Sequence, residues 1–237
     1  MSVTVTYSAT FGNYDGTYGP DAVQGWDGSD GLHSGTTGSF ENQDGFLPAF
    51  NRLFEIADHS ENPGAFAGDE DPDPVVDLGL WDLLGTFSGT QYASSGEYAG
   101  LDLGFIVEAA DGSYLNYTFF ASPTHTLYGE IGSITFGLGL EQDSNGLYYF
   151  DEELVTIDGL DTIGLNGGLD ANGDVIDRND PNLTNDTHAI VNGLKDGDAS
   201  ALWAAIDGNI GSEVFNSAFA EVLGVPETTE TELELAA

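Results

Sequence analysis

Apolar and polar residues alternate along the middle of the chain with the two-residue period of β-strands. Five segments there show this alternation and are rich in β-branched or aromatic residues: 90–95, 102–109, 113–120, 127–138 and 147–157. The start of the chain, 2–7, has the same character. Turn sequences such as Asp111-Gly112 separate neighbouring segments and favour antiparallel hairpins. The pattern predicts a meandering antiparallel sheet, in which 101–109 and 113–120 pair as a hairpin.

The last third of the chain changes to the three- and four-residue spacing of amphipathic helices. Three segments have this spacing: 188–196, 199–206 and 213–223. A fourth, 47–57, occurs earlier and has Pro48 in its first turn, where proline is favourable. Strands followed by helices predict an α+β fold, a single domain in which helices pack on one face of a curved antiparallel sheet. We expect this domain to span residues 1–225 and to end in a flexible acidic tail, 226–237.

Charge is the most unusual bulk property of the sequence. The 237 residues include 41 acidic residues and only three basic ones, Arg52, Arg178 and Lys195, which gives a formal net charge of −38. A nucleic-acid partner is excluded because no basic surface exists to neutralise phosphates. Polybasic attraction to an anionic membrane is excluded for the same reason. Such a chain repels itself at low salt, and molar salt screens that repulsion. The composition therefore favours a saline habitat over an ordinary acidic exported protein.

Several classes of chemistry are missing from the sequence. It contains no cysteine, which excludes disulfides, zinc–thiolate sites, iron–sulfur clusters and thiol catalysis. The sequence has no run of about 20 apolar residues, so a membrane-spanning helix is not expected. Residues 1–10 lack the features of a secretory signal peptide. The motifs of serine hydrolases, zinc proteases and phosphate loops are also missing. We expect a protein that is not an enzyme, although chance carboxylate pairs leave a secreted glycoside hydrolase open.

One acidic turn has some features of a calcium loop. Asp170, Asn172, Asp174 and Asp177 supply oxygen ligands at nearly alternating positions. The sixth position of the loop, normally glycine, is Val175, and the twelfth is a proline instead of a glutamate. An ordinary acidic turn fits better, but a calcium-stabilised, non-catalytic surface module remains an alternative function.

Tyr117 and His125 are the most informative pair of polar aromatic side chains. Tyr117 lies in a predicted strand, and His125 follows a loop that contains Pro123. A strand–loop–strand with this spacing could bring both rings to one site. An imidazole that takes part of the phenol proton turns tyrosine into a good ligand for ferric iron, and tyrosine is a known ligand of heme iron. On this chemistry alone, purely structural roles for both rings are favoured.

The motif around this pair resembles the heme-binding region of the HasA-type hemophores. The matching residues are Tyr117-Thr118-Phe119-Phe120 and Pro123-Thr124-His125-Thr126-Leu127-Tyr128-Gly129. Weaker similarity extends to residues 2–12, Trp26, 88–93 and 188–194, whereas about 46–84 is a probable insertion. The resemblance implies that Tyr117 ligates the iron of a ferric heme b and that His125 accepts the hydrogen bond of Tyr117. It also implies that His33, in a glycine-rich loop, is the second axial ligand.

The resemblance also implies where the protein acts. Two loops at one end of the sheet would hold heme outside the cell and deliver it to an outer-membrane hemophore receptor for iron acquisition. The last residues, 232–237, resemble the uncleaved C-terminal signal of substrates that an ABC-type exporter secretes in one step, known as type I secretion. Two further histidines have other expected roles: His59 is a solvated surface residue within the insertion, and His188 is structural or lies at the pocket margin.

Overall fold

The computed structural model describes residues 3–7, 50, 54, 63–75, 87–98, 101–210 and 231–234. The strands in this part of the chain are β1 (Thr4–Tyr7), β2 (Ala65–Ala67), β3 (Ser88–Gly89), β4 (Gln91–Tyr98), β5 (Leu101–Ala109), β6 (Leu115–Thr118), β7 (Thr126–Tyr128), β8 (Ile131–Gln142), β9 (Tyr148–Asp158) and β10 (Thr231–Glu234). The helices are α1 (Asp186–Lys195) and α2 (Ser200–Ile210), preceded by a short 3-10 helix, Leu160–Thr162. The predicted α+β class is confirmed.

Seven of these strands form one antiparallel sheet in the order β10-β1-β9-β8-β5-β4-β2. Its two longest strands, β8 and β9, form a hairpin. The turn between them is closed by Asp143, whose carboxylate accepts hydrogen bonds from the backbone amides of Asn145 and Leu147. On the other side of β8 lies β5, which pairs in turn with β4. The predicted antiparallel sheet is therefore present, with strands close to the predicted positions.

The other three strands form a separate sheet in the order β3-β6-β7. The predicted hairpin of 101–109 and 113–120 is wrong, because β4 and β8 occupy both edges of β5 and β6 pairs with β3 and β7 instead. The predicted strand 127–138 is in fact two strands, β7 and β8. They separate at Gly129, whose φ of 127° suits only glycine. At this residue the chain passes from the small sheet to the large one.

Both described helices pack into the main core beside the large sheet. The buried apolar side chains of α1 and α2 share one cluster with those of β5, β8 and β9. The rings of Phe50 and Phe54 lie 5.7 Å apart, and both meet the ring of Phe136 edge-on. A separate, small cluster of Ala93, Ile106 and Phe150 lies elsewhere on the sheet. The helices and the large sheet thus share one apolar core.

The start of α1 is tied to the small sheet by hydrogen bonds. Asn185 caps the helix, because its side-chain oxygen accepts from the backbone amide of His188 at 2.8 Å. The amide group of the same side chain donates to the carbonyl of Leu127 at 2.9 Å. The hydroxyl of Thr187 donates to the carbonyl of Gly129 at 2.7 Å. These bonds fix α1 against β7 and thereby set one wall of the site described below.

Some sequence predictions fall outside the described residues. The helix predicted at 213–223 lies outside these residues. Most of the predicted helix 47–57 and much of the probable insertion 46–84 also lie outside them. Residues 231–234, within the predicted tail, form β10, which pairs with β1. Backbone hydrogen bonds along β1 give this acidic segment a partner. Within the described ranges, no helix combines the length and the apolar character needed to cross a membrane.

Candidate functional site

Tyr117 and His125 meet beside the loop that joins β6 to β7 in the small sheet. Tyr117 lies on β6 opposite Leu127 of β7, and His125 is the last loop residue before β7. The phenol oxygen lies 2.9 Å from Nδ1 of His125. The structure therefore places the two predicted side chains at one site and in direct hydrogen-bonding contact.

The backbone of the loop holds His125 in an uncommon conformation. Its φ of 55° is in the left-handed region, which costs a non-glycine residue about 1–3 kcal/mol and occurs often at functional sites. The buried hydroxyl of Thr118 supports this arrangement: it accepts from the amide of Thr126 at 3.1 Å and donates to the carbonyl of Pro123. The backbone on both sides of His125 is thus bonded to the strand that carries Tyr117.

The surroundings of Tyr117 determine which atom holds the proton. Burial raises the pKa of the Tyr117 phenol, and the positive charge of Arg178 partly opposes this effect. The raised pKa keeps the phenol protonated at neutral pH, and its O–H donates to Nδ1 of His125 in the tautomer that leaves this nitrogen unprotonated. A Lewis acid that binds the phenol oxygen would displace this proton, and the imidazole is in place to receive it.

A cavity of about 440 Å³ opens beside this pair, a volume within the range of small-molecule sites. Its described lining is mainly apolar and aromatic and comprises Pro63, Gly64, Ala65, Phe66, Phe87, Tyr92, Tyr117, Phe119, His125, Leu127, Arg178, His188, Asn192 and Lys195. The rings of Phe87 and Phe119 stack at 5.8 Å, and Phe119 meets the imidazole of His125 edge-on at 4.9 Å. The cavity thus offers flat apolar surface next to the phenol oxygen of Tyr117.

His188 lies in the wall of the cavity and has a structural role. Its Nδ1 accepts a hydrogen bond from the backbone amide of Leu127 at 3.1 Å, and the residue is only 9% exposed. Burial lowers the pKa of His188 to about 4, with a smaller contribution from the charges of Arg178 and Lys195. A neutral imidazole that holds α1 against β7 agrees with the role expected from the sequence.

Sequence reasoning did not identify Arg178, Lys195 and Phe87 as cavity residues. They are distant from the Tyr117 motif along the chain: Phe87 directly precedes β3, Arg178 lies in the loop before α1, and Lys195 is the last residue of α1. One signal in the sequence could have indicated the two cations, namely their rarity: they are two of only three basic residues.

Two other predictions concern metal ligands. His33, the predicted second axial ligand, lies outside the described residues, as does His59. The carboxylate of Asp170 in the calcium-like turn accepts hydrogen bonds from the amides of Asn172 and Asp174. In the part of the chain that the structure covers, no group of three or more His, Cys, Asp or Glu residues is arranged to hold a metal ion. The turn is thus closed by its own hydrogen bonds.

Comparison with known proteins identifies the family. The model of the family described as heme-binding protein A (HasA) matches residues 77–234. The chain belongs to the HasA family. This match includes Tyr117 and His125, and it begins beyond His33.

Individual HasA proteins agree with this assignment. The hemophore HasA of Serratia marcescens is 32% identical over an alignment of 157 residues, and the match covers 63% of this chain and 73% of that protein. The apo structure of the hemophore HasA from Yersinia pestis is 21% identical, with a TM-score of 0.53, and the match covers 87% of this chain and 89% of that one. The holo hemophore from the same organism gives a TM-score of 0.52. These structures share the fold described above.

Proposed function

We propose that this protein is an extracellular hemophore that binds one ferric heme b in the cavity beside Tyr117. The observation that carries the proposal is the hydrogen bond between the Tyr117 phenol and His125 at the edge of an aromatic cavity. Membership of the HasA family adds support, because the matched region contains this pair.

The residues of the cavity have distinct roles in this proposal. A bound heme would supply a Lewis-acidic ferric ion. Tyr117 provides an oxygen ligand, and His125 accepts the phenol proton and thereby strengthens that ligand. Phe87, Phe119 and Leu127 offer apolar surface to the porphyrin plane. His33 would be the second ligand of the iron.

The wider biological role is proposed from family membership. The protein would be secreted through an ABC-type exporter, capture heme outside the cell, and deliver it to an outer-membrane hemophore receptor for iron acquisition. As a carrier it would bind and release heme without catalysing a reaction. The relative from Serratia marcescens is described as a hemophore.

Titration of the purified apo-protein with hemin in high salt tests the proposal. We expect a Soret change that saturates at one equivalent. Tyr117→Phe removes the oxygen ligand and should weaken binding by at least about tenfold, a loss of about 1.4 kcal/mol or more. His125→Ala should weaken it less, because the oxygen ligand remains. Tyr149→Phe is the matched control, since Tyr149 is 40% exposed and lies outside the cavity lining.

Two results would contradict the proposal. The first is the absence of a saturable spectral change, which would favour the acidic surface module and direct attention to calcium-dependent melting. The second is an equal loss of affinity in Tyr117→Phe and Tyr149→Phe, which would remove Tyr117 from the site.

A further inference from the structure

The charge of the cavity is opposite in sign to that of the whole protein. The chain has 41 acidic and three basic residues. Among the described residues that line the cavity, none is Asp or Glu, and two, Arg178 and Lys195, are basic. A cavity that followed the overall composition would be lined by carboxylates. The exclusion of acids and the presence of two cations together indicate an anionic ligand group.

The two cations reach the cavity from different elements. Lys195 is the last residue of α1, and Arg178 lies in the loop that precedes this helix. Both act electrostatically on the same buried residue, His188, and Arg178 also acts on Tyr117. Asp177 and Asp196 are their neighbours in sequence and also affect His188, but neither carboxylate lines the cavity. Both cations therefore belong to the lining of one cavity, and we call this pair, Arg178 and Lys195, the cationic rim.

A structural explanation is available for one of the two cations. A lysine in the last turn of a helix interacts favourably with the negative end of the helix dipole. This explanation accounts for Lys195 but not for Arg178, which is an exposed residue outside a helix. It also does not account for the lack of carboxylates in the described lining.

We propose that Arg178 and Lys195 bind the two propionate groups of heme and so select a porphyrin that carries free carboxylates. This inference rests on the proposed function. It adds that the cationic rim binds the propionate edge of the heme. Arginine binds carboxylate through two parallel hydrogen bonds, whereas lysine acts as a compact charge. With the propionates at this rim, the protein would counter locally the repulsion that its net charge exerts on an anionic ligand.

Hemin and hemin dimethyl ester, measured in the same detergent-containing buffer, test the inference. The ester has the same iron and ring but no free carboxylates. Arg178→Gln and Lys195→Gln should each weaken hemin binding by about tenfold, and the double variant by about a hundredfold, since charged hydrogen bonds are lost. Binding of the ester should change by less than about twofold in the same variants. The charge-conserving variants Arg178→Lys and Lys195→Arg should keep most of the affinity for hemin.

Ser144→Asp is the control for net charge. It lowers the charge by one unit, as each glutamine variant does, but on an exposed turn outside the cavity lining. It should leave hemin affinity unchanged. An equal loss for hemin and ester, or no loss for hemin, would overturn the inference while leaving heme binding intact. Failure of the wild-type protein to bind either porphyrin would overturn the proposed function and the inference with it.

Discussion

His188 shows how one buried residue links the stability of the protein to pH. Its imidazole accepts a hydrogen bond from Leu127 and is kept neutral by burial and by the nearby cations, with a pKa of about 4. In the unfolded chain it has the ordinary pKa of about 6.5. Between these values the unfolded state binds a proton that the folded state does not bind. Stability contributed by His188 is therefore lost as the pH falls from about 6.5 to about 4 and is constant below that range.

Replacement of His188 by asparagine should remove this pH dependence. The side-chain oxygen of asparagine accepts a hydrogen bond but does not titrate in this range. We expect the free energy of unfolding of the wild type, measured in urea, to fall relative to His188→Asn by up to about 3 kcal/mol between pH 7 and pH 4. Parallel pH profiles for the two proteins would show that His188 is not kept neutral in the folded state.

At the residue scale, the sequence indicated some of the site and not the rest. The spacing of Tyr117 and His125 was informative because a short strand–loop–strand keeps near neighbours in sequence close in space. Arg178 and Lys195 lie more than 50 residues further along the chain, and their approach depends on the docking of α1 against β7. The hydrophobic periodicity of the sequence gives no information about that docking. The rarity of basic residues could, however, have indicated Arg178 and Lys195 as candidate site residues.

At the element scale, the prediction failed in two ways: β5 does not pair with β6, and Gly129 divides the predicted strand 127–138 into β7 and β8. Alternation identifies a strand and its two faces, but it does not identify the neighbouring strand. The edges of β5 were taken by β4 and β8, so β6 joined the small sheet that carries Tyr117. The helices α1 and α2 were predicted well because their apolar stripe is a local signal.

The change Gly129→Ala should therefore damage the small sheet. An added Cβ would overlap the backbone carbonyl of Tyr114, and alanine is strained at a φ of 127°. We expect a loss of about 3 kcal/mol or more in unfolding free energy, above the usual effect of a surface substitution.

Gly112→Ala is the matched control for this change. Gly112 also has a positive φ, of 79°, but an added Cβ would meet nothing within 4 Å. It should cost only the backbone strain, about 1–2 kcal/mol. Equal losses for the two variants in thermal or urea unfolding would show that the close approach at Gly129 is unimportant.

At the scale of the whole molecule, the dominant property is the formal net charge of −38. Long-range repulsion of this size opposes the approach of an anionic ligand, whereas the cationic rim acts only at short range. We propose that the protein works in saline surroundings, where the long-range repulsion is screened. The rim would then govern how long heme stays bound more than how fast it arrives.

The association rate of hemin should therefore rise with salt. The Debye length falls from about 30 Å at 0.01 M to about 3 Å at 1 M ionic strength. Stopped-flow measurement of the Soret change across this range should show a rising rate constant for hemin. Hemin dimethyl ester, which lacks the propionate charges, should show no rise. A flat or falling rate for hemin would mean that the net charge does not control capture.

The absorption and resonance Raman spectra of the hemin complex test the central claim most directly, because they report the ligand of the iron. For the wild-type protein we predict a tyrosinate-to-iron charge-transfer band and tyrosinate vibrations in the complex with one equivalent of hemin. Both signals should disappear in Tyr117→Phe and persist in Tyr149→Phe. Tyrosinate signals that survive in Tyr117→Phe, or a wild-type complex without them, would contradict the assignment of Tyr117 as the iron ligand.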